Sequence, residues 1–127
     1  MFEKLLISRM AGALASHAAA RQSVIARNVA NADTPAYKAE DLTPFSRMVA
    51  EEGLGLTATR PGHLGAADPL KGAETYRRDA EAAPNGNTVS IEDEMIASAE
   101  VRQEHQMALG IYRSTSAILR TALGRTA

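Results

Sequence analysis

The side chains best able to do chemistry in this 127-residue chain are three histidines, a run of acids and a pair of asparagines. His17, His63 and His105 stand in no i, i+3 or i, i+4 relation, the spacing that sets two imidazoles on one helix turn around a metal. The absence of cysteine removes thiolate ligands and disulfides. Glu92-Asp93-Glu94 has the carboxylates that acid and base catalysis uses, but the positive end of a helix already accounts for three acids in a first turn. Neither a Gly-x-Ser-x-Gly nucleophile elbow nor a phosphate-cradling glycine loop is present. These residues therefore name no catalytic, metal or cofactor site. A small hydrolase acting on cell wall would need acids and histidines that no spacing brings together.

The asparagines sit in Asn28-Val29-Ala30-Asn31-Ala32-Asp33-Thr34-Pro35-Ala36-Tyr37-Lys38. Asn28 and Asn31, three residues apart, share one helix face, and their amides both donate and accept. Such a pair can bridge a helix contact or cap a helix end. Pro35 fixes one backbone angle, Asp33 or Thr34 can bond the turn backbone, and Tyr37 has an apolar ring with a polar tip. Asn28, Asn31, Asp33, Pro35 and Tyr37 are thus the candidate structural site.

Two long helices must position that site. From Phe2 to Asn31 the chain has no proline and only Gly12, and its apolar residues follow helical spacing in two seams. One runs Leu6, Met10, Ala13, His17, Ala20, Val24, and the other Ile7, Ala11, Leu14, Ala18, Arg21, Ile25, Asn28. The broad face is expected to pair within the subunit and to leave its second seam for neighbours. Asn31 followed by Asp33-Thr34-Pro35 stops the helix. The second helix starts with Ser90 as N-cap, carries its acids in the first turn and runs to about Gly124. Val101, Ala108, Ile111, Tyr112, Ile118, Leu119 and Ala122 gather on one stripe of it. Leu6, Met10, Leu14, Val24, Ile25, Ile111, Tyr112 and Leu119 are the expected helix contacts.

Between the helices, glycine and proline punctuate the chain repeatedly. Residues 41–52 predict a short helix, residues 54–59 a short strand, and Asn85-Gly86 a tight turn. The fold class is mainly α: terminal helices 1–32 and 89–127 pair as a coiled-coil-like inner domain around a loop-rich middle, 33–88, with a little β structure. All three segments belong to one domain.

Apolar residues make up 45% of the chain, but alanine dominates them and only two Phe and three Tyr are present. So thin a core barely offsets conformational entropy, and the isolated subunit is expected to be poorly ordered. Residues 1–31 carry four bases against Glu3, whereas 33–88 carries nine acids against six bases. Neither block concentrates Lys and Arg with aromatic residues as a nucleic-acid binder does. No stretch reaches the roughly 18 apolar residues of a membrane span. Met-Phe-Glu-Lys-Leu-Leu-Ile lacks the pattern of a secretory signal, so any export is expected without a cleaved leader.

Arg27-Asn28-Val29-Ala30-Asn31 resembles the Asn-x-x-Asn helix end of the flagellar rod, hook and hook-filament protein family. Asn31 to Pro35 with Tyr37-Lys38, Asp41 and Phe45 is most similar to the proximal rod proteins of that family. Thr59 to Leu64 around Pro61 and His63 agrees, as does Asn85-Gly86-Asn87-Thr88-Val89 leading into Glu92 to Met95. Ala36 departs from the pattern, since the family usually has Gly after the proline; a type I or more open turn is expected here instead of a type II turn with positive φ.

The resemblance implies a structural subunit, without cofactor or catalysis, that self-assembles helically with other rod proteins, transmits torque and is required for motility. It implies export through the flagellar type III apparatus and a periplasmic position in the basal body, near the rod-base adaptor and the membrane ring. A helical-hairpin binding module, such as an export chaperone, would share the amphipathic helices but lack the rod-like segments.

Overall fold

A computed structural model describes residues 2–52 and 73–124. Its elements are α1 (Phe2–Ala30), β1 (Glu40–Leu42), α2 (Phe45–Glu52), β2 (Thr75–Arg77) and α3 (Ile91–Ala122). The strand expected over residues 54–59, and the Pro61 and His63 segment, lie outside the described residues.

α1 and α3, of 29 and 32 residues, are each about 45 Å long at 1.5 Å per residue. They pack together and run antiparallel: Gln22 meets Ser98 at 3.3 Å, and Arg21 faces Glu100 and Glu104. Ala18, Ile25, Ala97 and Val101 form the buried centre of the contact. Alanine on both sides lets the helix axes approach closely, so contact area comes from proximity and not from large side chains.

α3 begins as its sequence requires. The Ser90 hydroxyl accepts from the Asp93 N–H at 3.3 Å, and Glu92, Asp93 and Glu94 occupy the positive first turn. Its buried line is Glu94, Ala97, Val101, Ala108 and Thr115. Ile111 and Tyr112 were expected on that line but are 39% and 49% exposed. At 100° per residue they straddle the row between Ala108 and Thr115, one to each side. Ile118 is likewise exposed, and Leu119 is half-buried.

The second seam of α1 is largely taken up inside the subunit, although Ile7 at its start is 45% exposed. Ala11, Ala18, Ile25 and Asn28 from one seam and His17 and Val24 from the other are all buried within the subunit. Leu6, Met10 and Leu14 are half-buried.

The middle departs from the expected helix at Asp41. Glu40–Leu42 is instead a strand, paired antiparallel to β2 in the register Glu40↔Arg77, Asp41↔Tyr76, Leu42↔Thr75. Pro44 explains the change, since it pushes Thr43 out of the helical region, and α2 starts only beyond it. α2 holds the hydrogen bonds of Arg47 and Met48 to the Pro44 carbonyl and buries Met48. The imidazole of His17 reaches the Thr43 carbonyl at 2.8 Å and lies 5.7 Å from the ring of Phe45, which ties the start of α2 to α1.

Candidate functional site

α1 ends because its last carbonyls find partners outside the helix. The backbone N–H of Asn31 is shared between the carbonyls of Arg27 and Asn28, at 3.2 and 3.0 Å, which tightens the last turn. The Asn31 side chain donates back to the Arg27 carbonyl at 2.8 Å and accepts from the Thr34 hydroxyl at 3.2 Å. Asp33 and Pro35 are exposed, and the turn-bonding role falls to Thr34 and not to Asp33.

Asn28 is fully buried. Its Nδ2 donates to the Glu40 carbonyl at 2.7 Å, while its Oδ1 accepts from the Glu40 N–H at 3.1 Å and from the Tyr37 hydroxyl at 3.4 Å. β1 therefore has β2 along one edge and an asparagine amide on the other. Such pairing satisfies two backbone groups that burial would otherwise leave without water.

Sequence reasoning missed the residue that closes this junction. Asn87, 3% exposed, directs its Nδ2 at the carbonyls of Asn31, Ala32 and Thr34, at 2.9, 2.8 and 2.8 Å. Its Oδ1 accepts from the Val89 N–H at 2.7 Å. Beside it the Thr88 hydroxyl accepts from the Ala39 N–H at 2.8 Å, and Lys38 donates to the Gly86 carbonyl at 3.0 Å. The segment before α3 thus acts as a C-terminal cap for α1. The only signal in the sequence was the resemblance of the segment around Asn87, which carries no geometry by itself.

Ala36 has a φ of +60°, contrary to the turn expected for a residue with a β-carbon. Tyr37 N–H bonds the Thr34 carbonyl at 3.3 Å, and Ala36 N–H bonds the Asn85 carbonyl at 3.0 Å. These bonds hold Ala36 in the left-handed region that a glycine would enter freely. Gly86, with φ +82°, lies beside it; a Cβ there would meet the Ala36 Cα at 3.4 Å, an ordinary contact, so the positive φ and not crowding favours glycine.

A charge cluster braces the other side. Arg21 holds Asp41 with two bonds, Nε to Oδ1 at 2.9 Å and Nη2 to Oδ2 at 3.2 Å. Arg78 bridges Asp41 Oδ2 at 3.3 Å and Glu94 Oε1 at 2.9 Å. α1, β1, α3 and the residue after β2 are therefore joined by alternating charges, with Glu94 fully buried. Burial pushes Asp41 up, but the Arg21 hydrogen bonds, the Leu42 N–H and the charges of Arg21 and Arg78 outweigh it and hold the carboxyl below its usual range. Bonding to Asp41 raises Arg21 against the opposing effect of burial. Glu94, expected only to favour the helix dipole, is also the buried end of this chain of ion pairs.

The expected site residues divide accordingly. Asn28, Asn31 and Tyr37 converge with Asn87 and Glu40, and Val24 and Ile25 are buried in α1 one turn earlier. Asp33 and Pro35 lie at the surface, and Ile111, Tyr112 and Leu119 belong to the C-terminal half of α3. The arrangement can fix the angle at which the chain leaves a helix pair. Among the described residues no three His, Asp or Glu side chains gather as metal ligands would, and no helix is long and apolar enough to cross a membrane.

Residues 11–38, the stretch from the middle of α1 through this turn, match the sequence model of a family described as flagella basal body rod protein. The chain is similar to the flagellar basal body rod protein FlgB of Aeromonas hydrophila, with 32% identity over 81% of each chain. Similarity to the FlgB of Escherichia coli K12 is 35% over 72% of this chain and 73% of the relative. That to the FlgB of Agrobacterium fabrum is 27% over 74% and 75%.

Proposed function

Since the chain belongs to the FlgB family of flagellar basal body rod proteins and so is a structural component of the flagellum, we infer that it serves as a subunit of the proximal rod. In this reading it assembles helically with copies of itself and with other rod proteins, transmits torque, is required for motility and has no catalytic role. The observation that carries the reading is the pairing of α1 with α3 while large apolar side chains remain outward on α3, Ile96 and Met107 among them. A helix pair that leaves such surface exposed is suited to shared contacts with neighbouring subunits.

The junction of Asn28, Tyr37, Glu40 and Asn87 supplies rigidity where load would otherwise bend the chain at the helix end. The subunit sits in the periplasmic part of the basal body near the rod-base adaptor and the membrane ring, having passed unfolded through the flagellar export apparatus without cleavage. Removing its coding sequence should abolish swimming and leave basal bodies without complete rods. Normal motility with complete rods in that strain would reject the reading and favour a binding module.

A further inference from the structure

Asn85 is the one asparagine of this chain that a glycine follows; Asn28, Asn31 and Asn87 precede Val29, Ala32 and Thr88. The difference matters chemically. Asparagine is a thermolabile side chain because its Cγ can close a small ring with the next backbone nitrogen, and only glycine leaves that nitrogen unshielded by a β-carbon. Asn85 is also exposed, whereas Asn28 and Asn87 are buried and Asn31 is half-buried.

In the folded turn both reacting groups are held elsewhere. The Gly86 N–H donates to the Ala83 carbonyl at 2.7 Å, and the Asn85 Oδ1 accepts from the Asn87 N–H at 3.0 Å in an Asx turn. The main-chain carbonyl of Asn85 accepts from the Ala36 N–H at 3.0 Å. Ring closure has to break the first of these bonds and turn the side chain out of the second. An unfolded chain has neither restraint.

We propose that Asn85 is a site of spontaneous deamidation that folding protects, and that its isoaspartyl product releases the junction of α1 and α3. The Gly86 nitrogen loses its proton to water or hydroxide and bonds to Cγ of Asn85; the Cγ–Nδ2 bond breaks, and Nδ2 takes a proton and leaves as ammonia. Water then opens the succinimide. Cleavage between the Gly86 nitrogen and Cγ leaves aspartate, and cleavage between that nitrogen and the main-chain carbon leaves isoaspartate. One water enters, one ammonia departs, and nothing is oxidised or reduced. Isoaspartate lengthens the backbone by a methylene and turns the carbonyl that bonds Ala36 into a carboxylate. Gly86, which bonds Lys38, and Asn87, which caps α1, follow directly behind it.

Full-length chain is aged at mildly alkaline pH in two states: folded with trimethylamine N-oxide, its helicity first confirmed by circular dichroism, and unfolded in urea. Peptide mass spectrometry follows the change from amide to acid at each asparagine, and methylation by an isoaspartyl methyltransferase counts the isomer. In urea, Asn85 should convert several-fold faster than Asn28, Asn31 and Asn87, and Gly86→Ala should remove most of that excess where folding plays no part. The folded chain should convert several-fold more slowly. After return to folding conditions, isoaspartyl chain should have a lower urea midpoint than fresh chain, and lower than Asn85→Asp, which carries the charge without the added methylene. Equal conversion of the four asparagines in urea, equal conversion of Asn85 in the two states, or an unchanged midpoint after isomerisation would overturn the proposal.

Discussion

The side-chain amide of Asn28 meets both backbone groups of Glu40, with Nδ2 at 2.7 Å from the carbonyl oxygen and Oδ1 at 3.1 Å from the nitrogen. It occupies the place of a neighbouring strand, so the last turn of α1 sets where β1 lies. Because β1 carries Asp41, which bonds Arg21 and Arg78, the same contact also fixes the charge cluster. One buried amide thereby couples the helix pair to the middle of the chain.

Asn28→Ala should remove that coupling. Two buried backbone groups lose partners, at a cost of about 1–3 kcal/mol each before relaxation. In a chain held by an alanine-rich core, about 2 kcal/mol changes the folded to unfolded ratio roughly 30-fold. Circular dichroism of the purified variant should show a clear fall in helicity, or a lower urea midpoint, relative to the parent. An unchanged midpoint would mean that water replaces the amide without loss.

Asn87→Ala should also destabilise, by about 1–3 kcal/mol, because the carbonyls of Asn31, Ala32 and Thr34 lose a shared donor. Asn87→Asp should be worse than Asn87→Ala. A carboxylate cannot donate and adds negative charge beside the negative end of α1. Urea titration of the three proteins at neutral pH should rank parent, Ala, Asp.

The bond of Arg21 to Asp41 predicts a specific acid sensitivity. The folded carboxyl titrates below its ordinary 3.8, so the folded state binds this proton less readily than the unfolded chain. Its stabilisation is complete above that ordinary value and disappears as pH falls through the lower, folded one. Asp41→Asn should reduce stability at neutral pH and flatten this part of the acid unfolding curve, followed by helicity below about pH 4. A curve for Asp41→Asn parallel to the parent's would show that other carboxyls set the acid limit.

Ala36→Gly should stabilise slightly, by about 1 kcal/mol or less. Left-handed backbone costs an alanine roughly 1–2 kcal/mol, partly offset by the greater entropy glycine loses on folding. Ala36→Val should destabilise, since a branched side chain suits φ +60° still less. Thermal melts of the three variants should place Gly highest and Val lowest.

Asn31→Ala should act mainly on assembly. Its side chain bonds Arg27 and Thr34 near the surface and is not fully buried, so its loss should cost the subunit less than that of Asn28. Export of the variant should stay near the parent's level, while incorporation into basal bodies falls. Parent-like rods and motility would remove Asn31 from the assembly residues.

Much of the architecture was legible in the chain. Helical spacing with few breakers marked α1 and α3, Ser90 with the acids behind it marked the start of α3, and Asn31 to Pro35 marked the end of α1, because capping and proline sterics act over a few residues. The Asn85-Gly86 turn was legible for the same reason. β1 was not, since a three-residue strand is defined by partners 12 and more positions away: Asn28 on one edge, β2 on the other. Arg78 and Glu94 gave no local sign of meeting; Glu94 reads locally only as a first-turn acid of α3.

What the sequence by itself determined is the local part: two long helices, where they stop, a loop-rich middle and the absence of any motif for catalysis. Only the tertiary structure decided which faces of those helices are consumed inside the subunit. Two adjacent apolar seams on α1 look equally available as a pattern, yet both contribute buried residues to the subunit, Ala11, Ala18, Ile25 and Asn28 from one and His17 and Val24 from the other, while a row of small residues faces outward. Periodicity records that side chains share a face, but which face meets which depends on the rotation of packed helices and on long-range partners such as Asn87.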